Sequence, residues 1–196
     1  MDYAISKWVF ETFGNNKALS MIVKIITNLG SFPAIVIIIA CLLCFKKTRK
    51  VGVYAAIVCS LCWCINSFAL KNIVARPRPF VEHEELSAIC NLVSYKFPSG
   101  YSMASGHATT SMALCACLIW FYKSKGCYSL FYTFFVGLSR VYLCVHYLTD
   151  VLAGWLIGLI LGLAICYIIK IIEKNIENKR KIRGEKNEKI NSSNIK

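Results

Sequence analysis

The stretch "VLAGWLIGLILGLAICYIIKII", residues 151–172, decides the fold. Its only charge is Lys170, close to the end. As a helix at 1.5 Å per residue it covers about 33 Å, enough to cross a hydrocarbon core of about 30 Å. Working back along the chain, four more apolar runs read as crossings: residues 19–45, Val51–Leu70, His107–Tyr122 and Tyr128–Val145. Gly30 and Pro33 mark a break in the first of these. Its continuous part, Phe32–Phe45, covers only about 21 Å, so the preceding turns must help it across, with Lys24 snorkelling outward. His107–Tyr122 is close to the shortest length that spans.

Hydrophobic residues make up 57% of the 196-residue chain and mean hydropathy is +0.54, well above the soluble globular average. The expected fold is an all-α integral membrane protein, a bundle of about five transmembrane helices with six as the upper count. Residues 1–17 are amphipathic and too charged to cross, and they lack the basic start and cleavage site of a signal peptide. They read as an interfacial helix. Residues 18–172 form the transmembrane domain and 173–196 a basic cytoplasmic tail, a short helical extension followed by disordered chain.

The formal charge of +13 sits in three places. Residues 46–50, 123–125 and the tail from Lys170 contribute +4, +2 and +5, and each follows an apolar run directly. Cytoplasmic segments carry such charge under the positive-inside rule, so the partner is the membrane and not nucleic acid. An odd number of passes then puts the N-terminus, residues 71–106 and residues 146–150 outside. Of eleven cysteines, eight lie inside apolar runs, where thiols behave as small hydrophobes.

Against this background three polar islands face outward. The first is Lys71-Asn-Ile-Val-Ala-Arg76-Pro77-Arg78-Pro79, whose prolines end the helix and extend it into a stiff strap. The second is Gly100-Tyr-Ser-Met-Ala-Ser105-Gly106-His107, which places a capping serine and exposed backbone N–H groups at a helix start. The third is "SRVYLCVHYLTD", residues 139–150, with Arg140, His146 and Asp150. His146 and Asp150 are four apart and share a face if the next helix has begun, so the carboxylate can hold one ring nitrogen and leave the other aimed outward. Lys71, Arg78 and Arg140 with one helix N-terminus suit a phosphate, and two histidines supply a nucleophile and a proton donor.

These islands resemble the motifs of the type 2 phosphatidic acid phosphatase family, which includes vanadium haloperoxidases and glucose-6-phosphatase. Lys71 through Arg78-Pro79 matches its Lys-x6-Arg-Pro. Ala104-Ser105-Gly106-His107 matches Pro-Ser-Gly-His with alanine for proline. Ser139-Arg140, His146 and Asp150 match Ser-Arg-x5-His-x3-Asp in full. The resemblance covers about residues 50–170 and is nearest to the membrane-bound lipid phosphatases. It implies that His146 forms a phosphohistidine, that Asp150 orients it, and that His107 protonates the leaving oxygen and later activates water. Lys71, Arg78, Arg140, Ser105 and the Gly106 N–H would hold the phosphate oxygens. No cofactor or metal is implied, and a cation-rich pocket argues against His146 and Asp150 as a zinc pair.

Two departures stand out. Ala104 should alter loop rigidity, and Cys144, where glycine is frequent, should narrow the packing beside His146. Phe97-Pro98-Ser99-Gly100 resembles a decoy of the second motif without its histidine, and the acidic run Glu82, Glu84, Glu85 with His83 reads as a solvated loop face. A rival chemistry is an intramembrane serine protease with Ser102 as nucleophile, since Gly100-Tyr-Ser102-Met-Ala104 is near a nucleophile elbow; it lacks the final glycine and leaves three cations without work. A non-catalytic lipid-binding membrane protein is the other rival. Among lipid phosphates the reading leans slightly to undecaprenyl diphosphate, as a carrier to be recycled, ahead of phosphatidylglycerophosphate, phosphatidate or diacylglycerol diphosphate.

Overall fold

A computed structural model describes residues 1–193, and all regular structure in them is helical. Helix α1 (Asp2–Phe13) carries its acidic residue in the first turn, buries Ser6 and Val9, and leaves Trp8 exposed. Asn16 then caps α2 (Lys17–Leu29) by accepting the Leu19 N–H at 3.0 Å. Gly30 and Ser31 separate α2 from α3 (Phe32–Cys44) with a bend of 53°, and Pro33 lies at the start of α3, where its missing N–H costs nothing. At Gly30 any Cβ would meet Val136 at 2.2 Å, so the break also lets the chain pass close to its neighbour. Lys24 turns outward to donate to the Val93 carbonyl at 2.7 Å.

Helix α4 (Arg49–Cys64) continues through a π-helical turn, Ile65–Leu70, into α5 (Lys71–Val74). Ala75 adopts φ +48° and breaks the run before the extended Arg-Pro-Arg-Pro segment. Short helices α6 (Pro79–Glu82) and α7 (Ala88–Leu92) form a cap whose Leu86, Ile89 and Cys90 are fully buried against Val23, Leu143 and Val145. Helices α8 (Gly106–Tyr122), α9 (Ser129–Tyr142) and α10 (Leu148–Ser193) complete the bundle.

By length and composition, α10 and the run beginning at Arg49 can each cross a membrane alone, and the bent pair α2–α3 can do so as one span. The shorter α8 and α9 pack among them. The tail departs from expectation: α10 stays helical to Ser193. Its residues past 172 are mostly Glu, Lys, Arg, Ile and Asn without proline, and pairs such as Glu177–Lys181 at 3.3 Å support the extension.

Close packing of α10 on α8 sets the geometry at the polar end. Gly154, Gly158 and Gly162 recur every four residues along one face of α10. A Cβ at these positions would lie 2.9 Å from the Ser105 carbonyl, 2.4 Å from that of Thr109, and 2.9 Å from Ala116 Cβ. Such small-residue stripes let helix backbones approach in lipid, where van der Waals contact must replace the hydrophobic effect. The start of α8 is thereby brought to the start of α10, and the Ser105 N–H donates to the Asp150 carbonyl at 3.1 Å. Further down, Val58, Cys59 and Cys62 pack with Ala113, Cys117 and Cys166, cysteines filling the space of small apolar residues.

At the opposite end, Lys50 pairs with Glu173 at 2.7 Å and Lys170 lies over the Trp120 ring. The basic stretches at 46–50, 123–125 and after 170 therefore share one end of the bundle, away from the polar islands.

Candidate active site

The three islands converge on one cavity of about 510 Å³. Lys71, Arg78, Gly106, His107, Arg140 and His146 line its polar end. From there it runs down an apolar wall made by Phe32, Ile35, Val36 and Ile39 of α3 and Ala56, Cys59 and Trp63 of α4. Phe32 to Ile39 covers about 10 Å of helix axis at 1.5 Å per residue. Ser105 is buried beside this lining and Asp150 lies behind His146.

Each cation is held differently. Arg78, on the strap, donates from Nε to the Gly100 carbonyl at 2.8 Å, from Nη2 to Ser99 at 3.1 Å and from Nη1 to Val145 at 2.9 Å. The Pro98-Ser99-Gly100 stretch is thus a carbonyl cradle for Arg78, and Gly100 at φ +73° supplies the left-handed turn that aims it. Arg140 comes from the last turn of α9 and is 1% exposed. Its Nη1 donates to Thr27 Oγ1 at 2.7 Å and to Tyr95 OH at 2.6 Å, whereas Nε finds no acceptor among the described residues. The Ser105 hydroxyl at the N-cap of α8 is also buried without a partner there, and makes no capping bond. Lys71 is half-buried at the end of the α4 run and lines the cavity; its ammonium makes no hydrogen bond among the described residues. Unspent donors beside two histidines and a helix start make a set that can receive an anion.

His146 is 2% exposed and fixed from both sides. Arg78 Nη1 lies 3.2 Å from its Nε2, and since a guanidinium only donates, Nε2 must accept. The ring proton is therefore on Nδ1. On that side Ser102 Oγ stands at 3.3 Å and the Asp150 carboxylate at 3.8 Å, too far for a direct hydrogen bond. Burial first, and then Arg140 and Arg78, push the imidazole well below the usual histidine range despite Asp150, so it is neutral near pH 7.

The carboxylate itself is 0% exposed and fully engaged. Oδ2 accepts from Ser102 Oγ at 2.5 Å and the Tyr147 N–H at 2.9 Å, and Oδ1 accepts from Arg76 Nη1 at 2.8 Å. Arg76 also stacks on the Tyr147 ring, 4.0 Å from its centroid, and reaches Asp2 at 2.8 Å.

Several of these partners carry no sequence signal as phosphate ligands: Thr27, Tyr95, Asp2 and Arg76. Ser102 does stand out in the sequence, but as the nucleophile of a protease. Its hydroxyl is buried, bonded to Asp150 and outside the cavity lining, so it has no exposed face for attack. Asn66, in the π-helical turn, donates to the Ala104 carbonyl at 3.2 Å and steadies the loop where proline is replaced. Cys144 departs from expectation. It adopts φ +51°, a conformation that favours glycine, and its thiol points at the Ser6 carbonyl of α1, away from the cavity. Glu82 accepts from the Tyr147 hydroxyl and Glu85 from Tyr3 at 3.2 Å, so part of the acidic run is used in packing the cap.

Comparison with known proteins gives the family. The family model described as the PAP2 superfamily matches residues 50–173. An undecaprenyl-diphosphatase of Sulfolobus acidocaldarius is 33% identical over 125 residues, 61% of this chain and 55% of the relative, so the chain spans about half of that protein's length. The undecaprenyl-diphosphatase BcrC of Bacillus subtilis is 26% identical over 164 residues, covering 83% of this chain and 81% of the relative. The crystal structure of a transmembrane PAP2-type phosphatidylglycerolphosphate phosphatase from Bacillus subtilis superposes with a TM-score of 0.67 at 27% identity, over 87% of this chain and 85% of that one. With a family model that matches well over half of its residues, the chain belongs to the PAP2 superfamily.

Proposed function

We propose that this protein is a membrane lipid phosphatase that removes the terminal phosphate of a lipid phosphate or diphosphate at the outer leaflet. The observation that carries the reading is the shape of the cavity: cations and two imidazoles at one end, an apolar wall of α3 and α4 at the other. A phosphate held by Lys71, Arg78, Arg140, Ser105 and the Gly106 N–H leaves its lipid tail pointing along that wall. The polar end lies opposite the basic stretches, which supports an outward-facing site under the positive-inside rule.

His146 Nε2 attacks phosphorus in line and the bond to the leaving oxygen breaks, with His107 giving that oxygen its proton. Neutral His107 then takes a proton from water, whose oxygen attacks the phosphohistidine. The nitrogen–phosphorus bond breaks and inorganic phosphate leaves. Charge on the phosphoryl oxygens is met by fixed guanidinium and backbone donors, so the residues present can carry the reaction without a metal.

Undecaprenyl diphosphate is the first substrate to test, because two relatives bear that name; phosphatidylglycerophosphate is the second, from the structural neighbour. Phosphate release from these two lipids, phosphatidate and diacylglycerol diphosphate, measured in one detergent, ranks them directly. His146→Ala should abolish release while the protein elutes as the wild type does, and vanadate should inhibit where a fluorophosphonate does not. Near-normal turnover by His146→Ala would overturn the mechanism.

A further inference from the structure

Asp150 and His146 are the pair expected to work together, yet their nearest polar atoms are 3.8 Å apart. Between them stands Ser102 Oγ, 2.5 Å from Asp150 Oδ2 and 3.3 Å from His146 Nδ1. A hydroxyl has one proton, and its direction can be assigned. The carboxylate can only accept, so the Ser102 proton points to Oδ2. Nε2 is already an acceptor for Arg78, so the imidazole proton is on Nδ1 and points to Ser102 Oγ. The chain is Nδ1–H to hydroxyl, hydroxyl to carboxylate, every donor satisfied in one sense only.

We propose that Ser102 is a positioning residue through which Asp150 acts on His146. The inference rests on His146 being the nucleophile. It adds a third member, supplied by the loop before α8, to a pair formed by the turn before α10 and the first turn of α10. Ser102 touches neither the cavity nor the phosphate, and its backbone N–H is tied to the Arg76 carbonyl at 2.8 Å, so its hydroxyl is set in place by the strap. When Nε2 bonds to phosphorus the ring becomes cationic. The Nδ1 proton is then held more strongly by an oxygen whose own proton lies in the carboxylate, so Asp150 stabilises the cation through the hydroxyl and no proton needs to move. Charge-assisted chains of this kind gain by mutual polarisation in a buried setting.

The test is a double-mutant cycle on phosphate release, in detergent-solubilised full-length protein with the best lipid of the panel as substrate. Variants are Ser102→Ala, Asp150→Asn and the double variant, with His146→Ala as control. Ser102→Ala should lower kcat by about 10- to 100-fold and move KM by less than about twofold, since it acts on the nucleophile and not on phosphate binding. Asp150→Asn should cost at least about tenfold in the wild-type background and less than about threefold in the Ser102→Ala background, because the link is already cut. Ser102→Thr retains the hydroxyl and should recover most of kcat. Where Ser102→Ala fails to elute as a folded protein, Ser102→Cys serves in the same cycle with the same expectations, its weaker S–H donor breaking the chain at similar volume.

Independent, multiplying effects of the two substitutions would overturn the proposal, as would wild-type kcat in Ser102→Ala or a loss confined to KM. His146→Ala separates the two levels. If it retains turnover, the phosphohistidine reading fails; if it is inactive while Ser102→Ala is normal, only the role of Ser102 fails.

Discussion

Arg76 donates to Asp2 at 2.8 Å from one guanidinium nitrogen and, from the other, reaches the carboxylate behind His146. The first turn of α1 is thereby bolted to Asp150, with Thr149 bonded to both Arg76 and Asp2. Arg76→Ala should destabilise the protein by about 2–4 kcal/mol, because it leaves a fully buried carboxylate short of its charged partner. Asp2→Asn keeps Arg76 on Asp150 and removes only a partly exposed partner, so it should cost no more than about 1 kcal/mol. Thermal unfolding of the two variants in the same detergent checks the order.

Gly158 should be the least replaceable glycine of α10. Its Cβ would sit 2.4 Å from the Thr109 carbonyl, a backbone atom that cannot swing aside, so Gly158→Ala must push α10 off α8. Overpacking of this kind costs about 1–3 kcal/mol, and here it also separates Ser105 from Asp150. Phosphate release should fall with stability. Gly184→Ala is the matched control: nothing lies within 4 Å, and exchanging glycine for alanine in an exposed helix gains up to about 1 kcal/mol.

The residues proposed to hold phosphate stand out in the chain because their spacing is local: Lys71 and Arg78 bracket one strap, Ser105 to His107 one helix start, and Arg140 to Asp150 one turn. The helices could be read from apolar run length in the same way. Contacts between islands could not. Ser102 carries the residue type of a nucleophile, and only the approach of α10 to α8 shows that its hydroxyl is spent on Asp150. Arg76 resembles a surface anchor until α1 folds back over it. Thr27, on an apolar helix, gains its role only when the Gly30 break brings α2 against α9 and Arg140. The helix of the tail is hidden because polarity alone reads as disorder, although Glu, Lys and Arg content also favours a helix.

Arg140→Lys should be severely impaired despite keeping the charge. The guanidinium uses a single nitrogen to satisfy both Thr27 and Tyr95 while Nε stays unspent beside the cavity. A lysine ammonium is a point donor that cannot hold two protein oxygens and also present a planar edge to phosphate. We expect kcat/KM to fall by about 100-fold or more, with thermal stability changed far less than in Arg140→Ala, where buried Thr27 loses its donor. Tyr95→Phe, which removes one anchor and no charge, should fall between wild type and Arg140→Lys.

The protonation of His146 gives a prediction in the free protein. Burial and the neighbouring guanidiniums lower its pKa below that of an unfolded histidine, about 6.5, so native protein stays neutral at this ring where the unfolded chain takes up a proton. Its contribution to stability is therefore complete above about pH 6.5 and is lost as pH falls below it, the sign expected when the unfolded state binds more protons. With histidine selectively labelled with 15N, the His146 signals should be those of the neutral Nδ1–H form from pH 8 to pH 5. The thermal midpoint of the wild type should drop more steeply over that interval than that of His146→Gln. An imidazole that titrates near 6.5, or one protonated on Nε2, would contradict both the burial and the hydrogen-bond direction assigned from Arg78.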